Sequence, residues 1–511
     1  MKLFLKFLKS KNCMLTILSA VLLCLAFPKT DIWFLSWVSL IPLFYALDDK
    51  SRKDSFKIAY FCGIVFFVLV FYWLTNVTFV GATLLVLYFA LYFGLFAICY
   101  SSFKAKNLFL KILFLSSVWV VLEYARAYLF TGFGWASLGY SQYKNLHIIQ
   151  IADITGVYGI SFLIIAVNVL LKGLVDIFLK WCRAPKRNLR VPGATILSCF
   201  VVVALLAATF LYGNYRLNNT IESTGKLKIA VVQPNTKLTN IWQESLWPKI
   251  VEEHIDLTLK AMNDSPDLII WPETSVPAIF PDEEKFVNEV KNLSNNIKVP
   301  ILFGSVTREG QDYFNSAILT TKYGEIKEKY NKLHLVAYGE YIPFRSAFPF
   351  LKYIVPIDDF TSGSEFTTFS LEGGGLFSVL ICFEDTIETI SRGFVLSGAE
   401  LLINITNDAW FGDSKEPFMH LSSSVLRAVE NRKYVVRSAN TGLSSFINSS
   451  GNILNNVKNN SNKMTYIKGY ATLNVDLNQK KTIYTKFGDV FTYLCFGCIL
   501  LCALMKIKRR I

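Results

Sequence analysis

The chain has 511 residues, of which 53% are hydrophobic and 18% charged. That is too apolar for an ordinary soluble protein and too unevenly apolar for a pure transporter, so the composition describes a membrane half joined to a globular half. The formal charge of +14 suggests a polyanionic partner, but the polar segment 226–486 holds 27 basic and 29 acidic residues. The excess therefore sits in loops that flank apolar runs and face anionic lipid, which argues against a nucleic-acid role.

In chain order, a short apolar run from Met14 to Phe27 follows Lys2, Lys6, Lys9 and Lys11. It imitates a signal peptide but lacks a convincing small-residue cleavage site, and a second apolar run begins just after Pro28, so it is read as the first arm of a retained helical hairpin. Longer apolar stretches lie near Ile32 to Leu47, Phe56 to Leu74, Thr83 to Phe103, Phe109 to Phe130, Val157 to Phe178, Ala194 to Tyr212 and Val490 to Met505. Together these predict a transmembrane helical bundle of about eight spans. Seven fall in 1–213 and one in 487–511. Basic residues cluster in alternate connections: the N-terminus, Lys50 to Lys53, Lys104 and Lys106, Arg183 to Arg190, and Lys506 to Arg510. By the positive-inside rule these are cytoplasmic, both termini included. The long segment 226–486 is then outside; in a bacterium it would be periplasmic, with the spans in the inner membrane. Within the fifth run, Glu123 and Arg126 stand three apart on one helical face. They can pair with each other or meet a phospholipid head group.

Residues 214–225 are polar and read as a linker. Beyond them, Lys228 to Gln233, Asp267 to Glu273, Pro300 to Val306, Tyr313 to Thr320, Leu376 to Cys382 and Glu400 to Ile405 are short apolar runs bounded by turn residues. They predict central strands, and the amphipathic stretches Trp247 to Met262, Glu283 to Asn295 and Pro417 to Lys433 predict helices between them. Such alternation implies a layered α/β domain. Asn440 to Ser449 and Thr465 to Asp476 are candidate outer strands, Asn455 to Lys463 a polar loop, and Tyr330 to Pro343 a loop crowded with polar groups.

Of ten cysteines, only Cys382 lies in 226–486. A disulfide within the segment is thus impossible, and an unpaired thiol at a strand end outside the cytoplasm is a candidate nucleophile; the bland alternative is a small buried hydrophobe. Acyl transfer through cysteine needs a base and oxyanion donors. Glu273, ending a strand after Trp-Pro, can be the base; Lys332 can stabilise negative charge; the backbone N–H after Cys382 can complete an oxyanion site. Taken singly, Glu273 and Lys332 read more simply as surface charges.

The order Glu273, Lys332, Cys382 resembles the Glu-Lys-Cys triad of the nitrilase superfamily. The phrases Trp271-Pro-Glu273, Tyr330-Asn-Lys332 with His334-Leu-Val336, Gly339-Glu340-Tyr341, Ile381-Cys382-Phe-Glu384, Thr406 to Gly412 and Arg437 to Gly442 carry this likeness. With Thr131 to Trp135, Gly139 to Gln142 and the spans, the whole chain resembles its membrane-embedded branch, the apolipoprotein N-acyltransferases. Phe383 departs from a frequent tyrosine, Ala337-Tyr338 from a common Pro-Phe, and Gly134 from a common proline.

The resemblance implies a nitrilase-like α-β-β-α sandwich outside the membrane. Glu273 is then general base and acid, Lys332 polarises the thioester oxygen, and Cys382 is acylated. Glu340 and Glu384 become supporting acids, with Phe383 beside the nucleophile. The implied donor is a phospholipid, typically phosphatidylethanolamine, and the acceptor the α-amine of a diacylglyceryl-modified cysteine at an apolipoprotein N-terminus, with no metal or diffusible cofactor. Trp242 and the Phe344 to Tyr353 segment are candidates for lipid contact. Three rival readings remain: a membrane-tethered carbon-nitrogen hydrolase using the same triad, a papain-like enzyme pairing Cys382 with His334 or His420, and a transporter with an outer binding domain.

Overall fold

The computed structural model describes residues 10–183, 191–219, 221–241, 243–342 and 359–508. Two compact units divide the chain: Met1–Asn219 with Phe487–Ile511, and Thr220–Lys486.

In the first unit five helices are long and apolar enough to cross a hydrocarbon core: Arg52–Asn76, Phe79–Ser102, Leu108–Tyr128, Val157–Arg183 and Gly193–Asn218. Lys11–Leu25, Trp33–Leu47, Leu146–Thr155 and Val490–Met505 are apolar but shorter. The expected count of about eight is therefore met only in part. The run Ile32 to Leu47 shows why, since it is not one helix but a 3-10 turn, Trp33–Trp37, followed by a short helix, Ile41–Leu47, with proline in its first turn. Such a break strands backbone groups in an apolar setting. Asn168, from the helix Val157–Arg183, meets them: its Oδ1 accepts from the Leu40 N–H at 2.9 Å and its Nδ2 donates to the Ser36 carbonyl at 2.9 Å. Gly193–Asn218 runs on past Tyr212, where the hydropathy falls, so only a short polar stretch precedes the first strand.

The second unit contains β1 (Gly225–Gln233), β2 (Leu268–Ile270), β3 (Val276–Phe280), β4 (Ile301–Glu309), β5 (Asp312–Thr320), β6 (Ile326–Asn331), β7 (Phe369–Ser370), β8 (Leu376–Ile381), β9 (Leu401–Thr406), β10 (Tyr434–Ala439), β11 (Ser445–Ile447), β12 (Ile453–Asn456) and β13 (Gly469–Leu477). They form two sheets. One has the order β13-β1-β2-β4-β5-β6, with β3 also on β4; the other has the order β12-β11-β10-β9-β8-β7. In each, three central strands run parallel, β1-β2-β4 and β8-β9-β10, with antiparallel strands outside. β9 is buried along its whole length, as a parallel strand covered on both faces must be.

The helices Trp247–Ala261 and Glu284–Ile297 pack their apolar faces on the first sheet, with Val251, Leu257, Val287 and Val290 in one cluster with Val232, Ile269 and Phe303. Glu388–Leu396 and Glu416–Asn431 lie against the second. The sheets face each other, and Ser438 of β10 donates across the gap to the carbonyls of Val232 or Ile270, each at 3.1 Å. The result is a helix-sheet-sheet-helix sandwich. Strand β6 is not among the expected strands, because Ile-Lys-Glu-Lys-Tyr-Asn is not an apolar run, and its last two residues, Tyr330 and Asn331, take the start of the expected polar loop; it pairs with β5 and stays half exposed. Strand β12 likewise cuts into the expected loop from Asn455.

Candidate active site

Parallel strands in one sheet all end on the same side, and four chain segments converge there. β2 leads through Trp271-Pro272 to Glu273, β6 runs into Lys332, β8 ends at Cys382, and β9 ends at Thr406 before Asn407. Gly304 of β4 lets the first of these pass close by: a Cβ there would stand 2.8 Å from the Glu273 Cα and 2.7 Å from the Thr274 nitrogen.

Glu273 is 8% exposed. Its Oε1 accepts from Asn315 Nδ2 at 2.8 Å and its Oε2 from the Asn407 N–H at 2.9 Å. Lys332, 1% exposed, sets its Nζ 2.9 Å from Glu340 Oε1 and 3.8 Å from Glu273 Oε1. Asn315 Nδ2 also donates to Glu340 Oε1 at 2.7 Å, and Glu340 Oε2 accepts from the Val336 N–H at 2.8 Å. One lysine thus lies between two carboxylates that one amide also bridges.

Burial disfavours charge on Lys332, but Glu340 and Glu273 outweigh it, and the ammonium is held above the ordinary lysine range. Burial likewise pushes Glu273 up, Lys332 pulls it down, and Glu340 adds to the rise. The Cys382 thiol is pushed well above its usual value by burial and by Glu273, against the pull of Lys332. A protonated thiol beside a buried carboxylate and a fixed ammonium is the starting state that general-base activation of a nucleophile requires.

Cys382 has φ +53°, in the left-handed region where a non-glycine residue costs on the order of 1–3 kcal/mol. Its surroundings hold it there. Glu384, fully buried, accepts from the Ile381 N–H at 2.7 Å through one oxygen; through the other it accepts from Tyr330 Oη at 2.8 Å and the N–H groups of Leu333 and His334 at 2.7 and 3.1 Å. It clasps the cysteine turn to the lysine loop, and burial pushes its carboxyl up to about 7 against these donors. Phe383 stacks on His334 with centroids 6.0 Å apart. The structure therefore brings Glu273, Lys332, Cys382 and Glu340 together and sets Glu384 and Phe383 around the nucleophile turn.

Trp242 and the segment Phe344 to Tyr353 lie outside the described residues. Glu123 and Arg126 belong to the other unit, and among the described residues no direct ion pair joins them. Glu123 Oε1 accepts from Trp119 Nε1 and the Leu138 N–H, both at 2.7 Å, while Arg126 donates to the Trp135 carbonyl and to Ser137 Oγ at 3.1 Å. Both clasp the segment that follows their own helix, and both line a crevice with Phe66, Phe67, Tyr92 and Phe93.

Sequence reasoning gave no role to Asn315; the available signal was an amide inside an apolar strand. Nor did it assign one to Asp385, Asp408 or Arg437, and it weighed His420 only as a papain-like partner of Cys382, whereas both His420 nitrogens face carboxylates in a buried group with these three. Asp408, Glu416 and His420 bring ligand atoms within 4.8 Å of one another. Both His420 nitrogens, however, face carboxylates, and Arg437 Nη2 is 3.8 Å from Asp408. A metal ion there would meet two positive groups, so the donor set does not fit one.

Two face-packed sheets between helices, with glutamate, lysine and cysteine converging at strand ends, define a domain of the carbon-nitrogen hydrolase class. Residues 228–480 match the family model of that description, carbon-nitrogen hydrolase, and residues 19–170 match the apolipoprotein N-acyltransferase N-terminal domain. An apolipoprotein N-acyltransferase of Geobacter metallireducens is 36% identical, covering 98% of this chain and 96% of that one. One of Chlorobaculum tepidum is 28% identical over 98% of both. A solved Nesterenkonia amidase of the nitrilase superfamily is 18% identical, with a TM-score of 0.39, over 53% of this chain and 97% of its own. The chain belongs to the apolipoprotein N-acyltransferase family, acyltransferases of the nitrilase superfamily.

Proposed function

We propose that the protein moves an acyl chain from a phospholipid to the N-terminal α-amine of diacylglyceryl apolipoproteins through a thioester on Cys382. The observation that supports this best is the placement of Lys332 between Glu273 and Glu340 beside the cysteine turn. In the first half-reaction Glu273 takes the thiol proton and sulfur attacks the ester carbonyl. The C–S bond forms, the ester C–O bond breaks, and Glu273 returns the proton to the leaving lysophospholipid oxygen. In the second half-reaction the amine nitrogen attacks the thioester, C–N forms, C–S breaks, and the amine proton passes by way of Glu273 to the sulfur. Lys332 and the Phe383 N–H stabilise the oxyanion in both.

Phosphatidylethanolamine is the proposed donor. The proposed arrangement is residues 1–213 and 487–511 in the inner membrane, the catalytic domain 226–486 in the periplasm, the expected linker at 214–225 shortened to the few residues between the helix Gly193–Asn218 and β1, and both termini in the cytoplasm. Alternating basic clusters support that orientation. Holding both lipid-anchored substrates at one surface supplies the proximity that two diffusing reactants would lack. Of the rivals, only the tethered hydrolase shares this site; His420 is already engaged by two carboxylates.

The test is intact-mass measurement of the detergent-purified chain with phosphatidylethanolamine. A gain of one acyl chain that hydroxylamine removes, that Cys382→Ser abolishes, and that a lipopeptide with a free cysteine α-amine chases into an amide supports transfer. Release of the chain to water alone, with no amide, favours the hydrolase.

A further inference from the structure

A buried polar cluster lies directly behind Cys382, and the reaction above makes no use of it. His420, on the helix Glu416–Asn431, is 1% exposed. Its Nε2 is 2.7 Å from Asp385 Oδ1 and 3.2 Å from the Cys382 carbonyl oxygen; its Nδ1 is 3.1 Å from Asp408 Oδ1. Asn404 Nδ2 gives the same carbonyl a second donor at 3.0 Å. Asp385 is held in turn by Ser424 Oγ and by Arg437 Nη1, the latter at 2.6 Å. Hydrogen bonds from both ring nitrogens to carboxylates require a proton on each. Burial opposes that charge, but Asp385 and Asp408 prevail and push His420 up to about 10.

Two consequences follow from which atoms are held. First, a trans peptide is planar, so the Cys382 carbonyl and the Phe383 N–H point in opposite directions along one rigid plate. Donors that fix the carbonyl from behind therefore fix where the N–H points in front. They also polarise the peptide, which strengthens that N–H as a donor. Second, Asp408 immediately follows Asn407, whose N–H donates to Glu273 Oε2 at 2.9 Å. One imidazole thus ties the nucleophile turn to the turn that orients the base.

We propose that His420 is a positioning residue: by holding the Cys382 carbonyl and Asp408 together, it aims the Phe383 N–H at the acyl oxygen that becomes the oxyanion. The inference rests on acyl transfer at Cys382 but not on the donor being a phospholipid.

The test uses the full chain in detergent with three probes. Iodoacetamide alkylates the thiol by displacement and forms no oxyanion; p-nitrophenyl butyrate and phosphatidylethanolamine both acylate it through one. Removing an oxyanion donor costs about 10²–10³ in rate and misaiming it somewhat less. His420→Gln is therefore expected to slow acylation by both esters about 10- to 100-fold, with KM for the nitrophenyl ester and alkylation of Cys382 changed less than about 3-fold. Equal loss with all three probes, or no loss with the esters, overturns the proposal. If the wild-type chain reacts with the nitrophenyl ester but not with phospholipid, the donor assignment fails and His420 is still decided on the nitrophenyl ester.

Should His420→Gln not fold, Asp408→Asn decides. It keeps an oxygen acceptor for Nδ1–H but removes one of the charges facing His420, leaving Asp385, Arg437 and Glu416, whose carboxyl burial holds well above the usual range. The alkaline limb of ester acylation should move to lower pH, whereas alkylation, which follows the thiol that Asp408 also helps to hold up, should rise at lower pH and show no alkaline fall. An unmoved limb overturns the proposal.

Discussion

Replacing Lys332 with methionine keeps most of the side-chain volume and removes only the charge. The lysine is 1% exposed, with its Nζ 2.9 Å from Glu340 and 3.8 Å from Glu273. At such distances each attraction is about 4 kcal/mol for an effective dielectric near 20, and removing one partner of a buried pair costs about 3–5 kcal/mol. Asn315 cannot substitute, since its amide carries no charge. The site is expected to relax by protonating one carboxylate, and Glu273 is the one that burial and Glu340 already push up. A protonated Glu273 cannot take the thiol proton, so base and oxyanion stabiliser are lost together. Single-turnover acylation is expected to fall by at least about 10³, the equivalent of about 4 kcal/mol. The acid limb of what remains should move to higher pH, because Glu273 ionises later.

A companion variant separates charge balance from chemistry. Lys332→Met with Glu340→Gln leaves a single carboxylate and should recover most of the lost thermal stability while remaining inactive. Melting by circular dichroism and thioester formation by intact mass read the two quantities independently. A folded Lys332→Met chain that acylates within about 10-fold of wild type, with its acid limb unmoved, would refute the assignment of Lys332.

Asn315→Asp sets a third carboxylate between Glu273 and Glu340, where one lysine serves all; a stability loss of about 2–4 kcal/mol is expected, smaller at pH 5 than at pH 8 in denaturant titrations. His254 is buried against Trp271 and donates to the Ile250 carbonyl, and burial pushes it down to about 4. The unfolded chain binds the extra proton first, so stability present above pH 6.5 is lost as pH falls toward 4, by about 3 kcal/mol. His254→Phe should flatten the fall of melting temperature with acid over that window. Gly442→Ala would set its Cβ 1.9 Å from Asp408 Oδ2; it should slow acylation at least about 10-fold while melting falls only modestly. In the membrane unit, Asn168→Leu strands the Leu40 N–H at about 1–3 kcal/mol and leaves the Ser36 carbonyl with Ser39 Oγ alone, which should appear as lowered melting temperature in detergent without a change in Cys382 alkylation.

Two of the three proposed reacting groups could be read before the fold was known because each terminates an apolar run, and a run that becomes a strand also fixes which side its end falls on. Glu273 and Cys382 were legible in this way, and Lys332 through the motif around it. The groups that hold them were not, because their partners are distant in sequence: Asn315 meets Glu273 across 42 residues, the Asn407 N–H meets it across 134, and His420 reaches the Cys382 carbonyl across 38. The broken span at Leu40 has the same cause, its missing partner Asn168 lying 128 residues on. Apolar periodicity reports burial, and it cannot tell an unbroken helix from one whose interruption is repaired from elsewhere.

One local signal was nevertheless available. A helix that packs on a sheet needs only an apolar stripe toward it, yet Glu416–Asn431 buries Glu416, His420, Ser424, Arg427, Glu430 and Asn431 at 1% exposure or less. Burying that many polar groups is costly unless they are paired, so their presence marks a helix selected for something besides packing. His420 and Ser424 on that helix hold Asp385 behind the nucleophile, with His420 also on Asp408, whereas Arg427 pairs with Glu430 at 2.8 Å. Substitutions on its His420 side should therefore damage turnover more than stability, and those at Arg427 and Glu430 stability more than turnover; a scan of the helix that found both sides alike would leave its polar face without a catalytic meaning.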